Sequence, residues 1–225
     1  MARFYGLLDE LDARMGGKRR LAESSARLEW PSHGVYFFFE QGEERSDSGN
    51  GSRVVRVGTH ALTATSRTTL WNRLSQHRGV ATTGGGNHRG SIFRLIVGEA
   101  LANRDLSVGV TTWGRGQSAN ATTRAAELEH ETRVSAYVGK MPLLWLRIGD
   151  NSETRNSRAF VERNAIALLS NYERESLDAA SPAWLGRSSN RIKVSGSGLW
   201  NQNHVDEQYD PTFLVEFHRL LALAG

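Results

Sequence analysis

A chain of 225 residues with 39% hydrophobic and 23% charged side chains is long and apolar enough for one sizeable packed domain. It has no cysteine, which excludes disulfides, thiolate nucleophiles and cysteine zinc sites and suits a reducing cytoplasm. The net charge of +4, from 28 basic and 24 acidic residues, permits a polyanionic partner without requiring one.

The N-terminal run MARFYGLLDELDAR lacks the long apolar core of a signal peptide, and no stretch reaches the ~18 apolar residues of a membrane span. A soluble, cytoplasmic protein with no membrane partner is the expectation. The lysines are Lys18, Lys140 and Lys193, so arginine carries nearly all of the positive charge. Arginine suits forked contacts to phosphate.

Residues 3–15 read as an amphipathic helix, because Phe4, Leu7, Leu8, Leu11 and Met15 keep helical spacing and Gly16-Gly17 stops it. The basic knot Lys18-Arg19-Arg20 reads as a solvated turn. GVYFFF, Gly34–Phe39, is apolar on both faces, which marks a covered strand. The polar, glycine-rich run from Gln41 to Ser52 reads as a mobile hairpin tip, and RVVRVG at 53–58 as the returning strand. Residues 66–78 read as a helix with Ser66 as N-cap and Leu70, Trp71 and Leu74 as its apolar stripe.

A glycine-rich loop at 79–90 leads into a helix at 91–103, and another helix is expected over 121–138. MPLLWLRIGD, Met141–Asp150, reads as a buried strand, and Ser157–Tyr172 as a strong helix. Asp210-Pro211 opens a last helix with Phe213, Phe217 and Leu220 on one face. No internal repeat is present. The predicted class is α+β: a small, mainly antiparallel three-stranded sheet flanked by helices, with helical insertions and N- and C-terminal helices. One domain over 1–225 is expected, with its core at about 30–78 and 141–205, a helical insertion at about 79–140 and a C-terminal helix at 210–224.

Several common chemistries are missing from the sequence. There is no HExxH run, no GxSxG elbow and no Walker A loop; TTGGGNHRG lacks the GK[ST] ending. Arg73 and His77 are four apart and share a helix face beside the apolar stripe, an arrangement equally compatible with a half-exposed helix edge. Glu162 stands at the head of the buried stripe formed with Ile166 and Leu169. An unpaired carboxylate there is costly, so it requires an arginine, a cation or an opening to solvent. A simple first-turn glutamate serving the helix dipole is the plainer alternative.

In combination these pieces resemble the GIY-YIG nuclease superfamily. GVY, Gly34-Val35-Tyr36, stands in the place of GIY, and RVG, Arg56-Val57-Gly58, in that of YIG. LWNRLSQH supplies Arg73 and His77 at the family's spacing, and FVERNAIALLSN supplies Glu162. The family's asparagine corresponds to Asn201 or Asn203 in GLWNQNHV. The resemblance implies a metal-dependent endonuclease that hydrolyses phosphodiester bonds of nucleic acid, double-stranded DNA by preference, in restriction, repair or defence. It implies Tyr36, Arg73, His77 and Glu162 as catalytic residues, with one Mg²⁺ (Mn²⁺ as a substitute) on Glu162. A single carboxylate is enough, since Mg²⁺ keeps most of its waters.

Tyr36 or His77 would take the proton of the attacking water, both hydrogen-bonded around it. Histidine's ordinary pKa of ~6.5 suits neutral pH, whereas tyrosine at ~10 would need a basic neighbour or the metal. Arg56, His60, His88, Arg89, Asn201 and Asn203 are the expected nucleic-acid contacts, with Trp184 and Trp200 near the groove. Double-strand cleavage with one site per chain would favour a homodimer. One departure stands out: Arg56 replaces the second signature tyrosine. It could support Tyr36, contact phosphate, or pair with Glu162. The last case would leave a catalytically weak nucleic-acid-binding module.

Overall fold

The structure, a computed structural model, describes residues 1–63, 65–108, 110–149 and 152–223; the side chains of residues 108 and 152–155 also fall outside that description. In chain order the elements are α1 (Ala2–Met15), β1 (Arg19–Arg20), β2 (Gly34–Glu44), β3 (Ser52–Gly58), α2 (Leu70–Arg78), α3 (Ile92–Arg104), α4 (Ala121–Gly139), β4 (Pro142–Arg147), α5 (Ser152–Leu169), α6 (Ile192–Ser197) and α7 (Phe213–Leu223). Asp150 and Ala224, at the expected ends of a strand and of the last helix, lie outside the described residues.

The strands form one antiparallel sheet in the order β1-β4-β2-β3. The three strands expected from the apolar runs are its body. The fourth is a two-residue edge: Arg19 and Arg20, read from sequence as a turn, pair with Leu143 and Pro142. So short a strand carries no apolar signature.

Period-two alternation divides β2 between two cores. Val35, Phe37 and Phe39 join the side chains of α1, α5 and α7 on one face. Tyr36 and Phe38 join those of α2, α3 and α4 on the other. Both faces are therefore covered, as the continuous apolar run demands. Gly34 lies so close to the Leu146 carbonyl on β4 that a Cβ would overlap it, which accounts for the glycine that opens the strand.

Local chemistry sets the helix ends. Gly16 closes α1 in the left-handed conformation, φ 71°, with its N–H on the Ala13 carbonyl. Thr69, not Ser66, caps α2 by accepting the Asn72 N–H at 3.2 Å. Ser91 caps α3 through Arg94 N–H at 3.3 Å, and Asn120 caps α4 through Thr123 N–H at 2.8 Å.

The hairpin tip is not the free loop its composition suggests. Backbone N–H groups of Ser46, Asp47 and Ser48 all donate to Asp178 Oδ1 at 2.9 Å. Below them Glu43 and Arg53 form a buried ion pair. A carboxylate more than 120 positions away gives no local signal of this anchoring. Among the described residues no helix is long and apolar enough to cross a membrane.

Candidate active site

Tyr36 sits in a row across the sheet, flanked by Trp145 on β4 and Gly58 on β3. Its ring lies directly over Gly58, where any Cβ would overlap the phenol. Glycine at the end of β3 is thus the condition for tyrosine at position 36. The phenol oxygen reaches the edge of β3, where α2, α3, the end of α5 and the segment 199–204 enclose a cavity of about 270 Å³.

Tyr36, Arg56, Arg73 and Glu162 all line this cavity, joined by Thr59, Trp200, Asn201, Gln202, Asn203 and His204. Ile92, Ile96 and Ile166 supply apolar wall. Positions spread from 36 to 204 therefore converge on one small space. Trp184 is not part of it; its indole donates to Glu40 in the core.

His77 stands one layer behind the wall. Its ring is fully buried, with Nε2 2.9 Å from the Tyr36 hydroxyl and Nδ1 2.7 Å from Ser91 Oγ. Burial, followed by the charges of Arg73, Arg56 and Arg94, holds its pKa well below the ordinary histidine value, so the ring is neutral. The expectation that Tyr36 and His77 share an attacking water is corrected: they bond to each other, and only Tyr36 faces the cavity.

Glu162 reaches the cavity past the end of β3, where Thr59 N–H donates to its Oε1 at 3.1 Å. Burial raises its pKa, against the pull of Arg56, the Thr59 N–H, His204 and Arg73. It is a desolvated carboxylate without full compensation. Arg56 does not provide that compensation by contact. Its guanidinium donates to the Trp200 carbonyl and lies 4.6 Å over the Phe93 ring, and no ion pair joins it to Glu162 among the described residues. Burial lowers the pKa of Arg56, and the neighbouring Tyr36 opposes that shift.

Arg73 is half-exposed at the cavity mouth, where its Nη1 is steadied by the Gln76 side chain at 3.1 Å and the Gly90 carbonyl at 3.3 Å. Both contacts are neutral, and among the described residues no carboxylate pairs with it.

The two asparagines part company. Asn201 is buried, and its amide pairs with β3 as a strand would, accepting Val57 N–H at 3.1 Å and donating to Val57 O at 2.9 Å. Trp200 N–H to Val55 O, 2.7 Å, extends the same edge. Asn203 is exposed and lines the cavity.

Three expected nucleic-acid contacts do not reach the site. His88 is buried beneath Trp113, 3.8 Å between ring centres, with its backbone N–H and Nδ1 on Glu131 at 2.6 and 2.9 Å. Arg89 forks onto Glu127 at 2.6 and 2.8 Å. Glutamates on α4 thus claim both side chains of the glycine-rich loop. His60 stacks on His33 and holds the Thr68 carbonyl at 2.9 Å; burial pushes its pKa down to about 4. Sequence reasoning in turn missed Thr59, Gln202 and His204. A backbone N–H carries no sequence signature, and His204 takes its place through an uncommon left-handed backbone, φ 65°.

The donor set fits a hard divalent cation held by one carboxylate. Glu162 offers an under-compensated anionic oxygen, and no cluster of three or more His, Cys, Asp or Glu is present among the described residues. An ion that keeps most of its waters needs no more.

A small antiparallel sheet thus places a phenol, an arginine and a buried carboxylate around one cavity. The family model described as GIY-YIG domain matches residues 1–224, and the chain belongs to that family. No curated protein and no solved structure matches the chain.

Proposed function

We propose that the chain is a divalent-metal-dependent endonuclease that hydrolyses phosphodiester bonds of double-stranded DNA, in a restriction, repair or defence role in the cytoplasm. The observation that carries this reading is the convergence of Tyr36, Arg73 and Glu162 on one cavity in a GIY-YIG domain. Glu162 would hold Mg²⁺, or Mn²⁺ in its stead, and the ion when bound supplies positive charge for the scissile phosphate and the incoming water. Arg73, held among the described residues by neutral partners, would grip the phosphate in a fork and oppose the charge that builds on it. Tyr36 would meet the attacking water, with His77 behind it and Arg56 beside it. Asn203 would contact the strand at the rim.

A module that binds without cutting is disfavoured by one contact. Arg56 is occupied by Trp200 and Phe93 and leaves Glu162 to the cavity. Cutting both strands would take two copies of the chain, each with one site.

The test is incubation of the purified protein with supercoiled plasmid, and separately with RNA, in Mg²⁺, Mn²⁺ or EDTA. Nicked plasmid in either ion and none in EDTA is the expected result. Intact plasmid under every condition would overturn the reading.

A further inference from the structure

Residues 79–140 lie outside the motifs that mark the nuclease core, yet α3 builds one wall of the site. Ile92 and Ile96 line the cavity, Phe93 carries the Arg56 guanidinium, and Arg94 Nη1 donates to the His77 carbonyl at 2.9 Å. The residue just before this helix, Ser91, makes the contact with most consequence, 2.7 Å from His77 Nδ1.

Hydrogen-bond accounting fixes the direction of that contact. A serine hydroxyl has one proton to give and two lone pairs to accept with. One lone pair of Ser91 takes the Arg94 N–H that caps α3. Ser91 is 1% exposed, so its own proton cannot turn to water. His77 Nδ1 is the acceptor within reach among the described residues. If Nδ1 carried a proton instead, two donors would face Ser91 and its hydroxyl proton would be buried without a partner, which is costly.

A neutral imidazole that accepts at Nδ1 must carry its proton on Nε2. Nε2 then donates to the Tyr36 oxygen at 2.9 Å. The neighbouring Arg56 is a donor with no acceptor to offer. Among the described residues the phenol proton therefore has no protein acceptor and is directed into the cavity, where the reacting atoms would lie.

We propose that Ser91 is a positioning residue of this site: its hydroxyl holds His77 in the Nε2–H tautomer, which turns the Tyr36 hydroxyl toward the cavity and makes the phenol, not the imidazole, the group that donates a hydrogen bond there. The catalytic half of this statement rests on the nuclease reading; the tautomer half does not.

The experiment records ¹⁵N shifts of the His77 ring in the full chain, for wild type, Ser91→Ala and Ser91→Thr, beside plasmid nicking by the same proteins. The wild type should show a protonated Nε2 and a bare, hydrogen-bonded Nδ1. Ser91→Ala should move the ring toward the Nδ1–H form and slow nicking on the order of tenfold or more. Ser91→Thr, which keeps the hydroxyl and the cap, should restore both. A wild-type ring protonated at Nδ1 overturns the proposal, and that reading stands even if Ser91→Ala fails to fold. So does a Ser91→Ala protein with its tautomer unchanged, whatever its nicking rate. Wild-type protein with the Nε2–H tautomer but no nicking would remove the nuclease reading and leave the control of His77 by Ser91 in place.

Discussion

At residue 58 a single methyl group separates a working site from a blocked one. The Tyr36 ring occupies the space where a side chain at 58 would go, so Gly58→Ala forces the phenol out of its row. Overpacking of this kind costs about 1–3 kcal/mol. It should also break the bond between Tyr36 and His77. Gly58→Ala is expected to lower the urea unfolding midpoint and to lose nicking to a larger extent than its stability loss explains. A variant with wild-type stability and activity would show that Tyr36 does not need this place. Arg56, two positions earlier, is held by the Trp200 carbonyl and the Phe93 face, and among the described residues no ion pair ties it to Glu162.

Among the elements, β3 is the one most exposed to failure, since it is the edge strand of the sheet on the side of the site. Segment 199–204 covers that edge without forming a strand, by placing the Asn201 amide where a strand's peptide would be. Asn201→Ala strips both bonds from Val57. About 1–3 kcal/mol of stability should go with them, measured by urea denaturation. Hydrogen exchange should rise at Val57 and Gly58 before it rises in β2. Equal protection at those amides in the variant would contradict the latch.

Much of this was legible in the sequence, and the reasons can be named. GVYFFF declared a strand covered on both faces because nearly every position is apolar, and Leu70 and Leu74 of the expected α2 stripe are buried, whereas Trp71 is only partly so and His77, readable as a half-exposed edge, is buried with them. The glutamate was legible as a carboxylate that buried surroundings could not leave alone. What stayed hidden depends on distant partners. Asp178 anchors the hairpin tip, and Glu127 and Glu131 bind Arg89 and His88. Which of two neighbouring asparagines is tied to β3 depended on an edge strand that composition does not reveal.

For the whole molecule, acid is the informative perturbant. Burial lowers the pKa of His60 to about 4, and also lowers those of His77 and His130. Unfolded histidines titrate near 6.5. Between that pH and the folded values the unfolded chain binds protons that the folded chain refuses, so stability is full above ~6.5 and falls as pH drops. Glu40 and Glu162 act in the opposite sense. Burial raises both, so over the interval above the ordinary carboxylate range the folded chain takes up protons first. The histidine contribution is read by substitution: the change in urea midpoint from pH 7 to pH 5 should be less of a fall, or more of a rise, in His60→Asn than in the wild type. An identical change in the two proteins would contradict a buried neutral His60.

The Glu162 carboxylate is central to the proposed activity. The most direct measurement is single-turnover plasmid nicking in Mg²⁺ by wild type and Glu162→Gln, with DNA binding followed in parallel by fluorescence anisotropy. Glutamine keeps the size of the side chain and an oxygen for the Thr59 N–H but removes the charge that would hold the cation. The prediction is a loss of nicking of at least about a hundredfold, with DNA affinity kept or slightly tightened because a negative charge has left the cavity. Nicking by Glu162→Gln at the wild-type rate would contradict it.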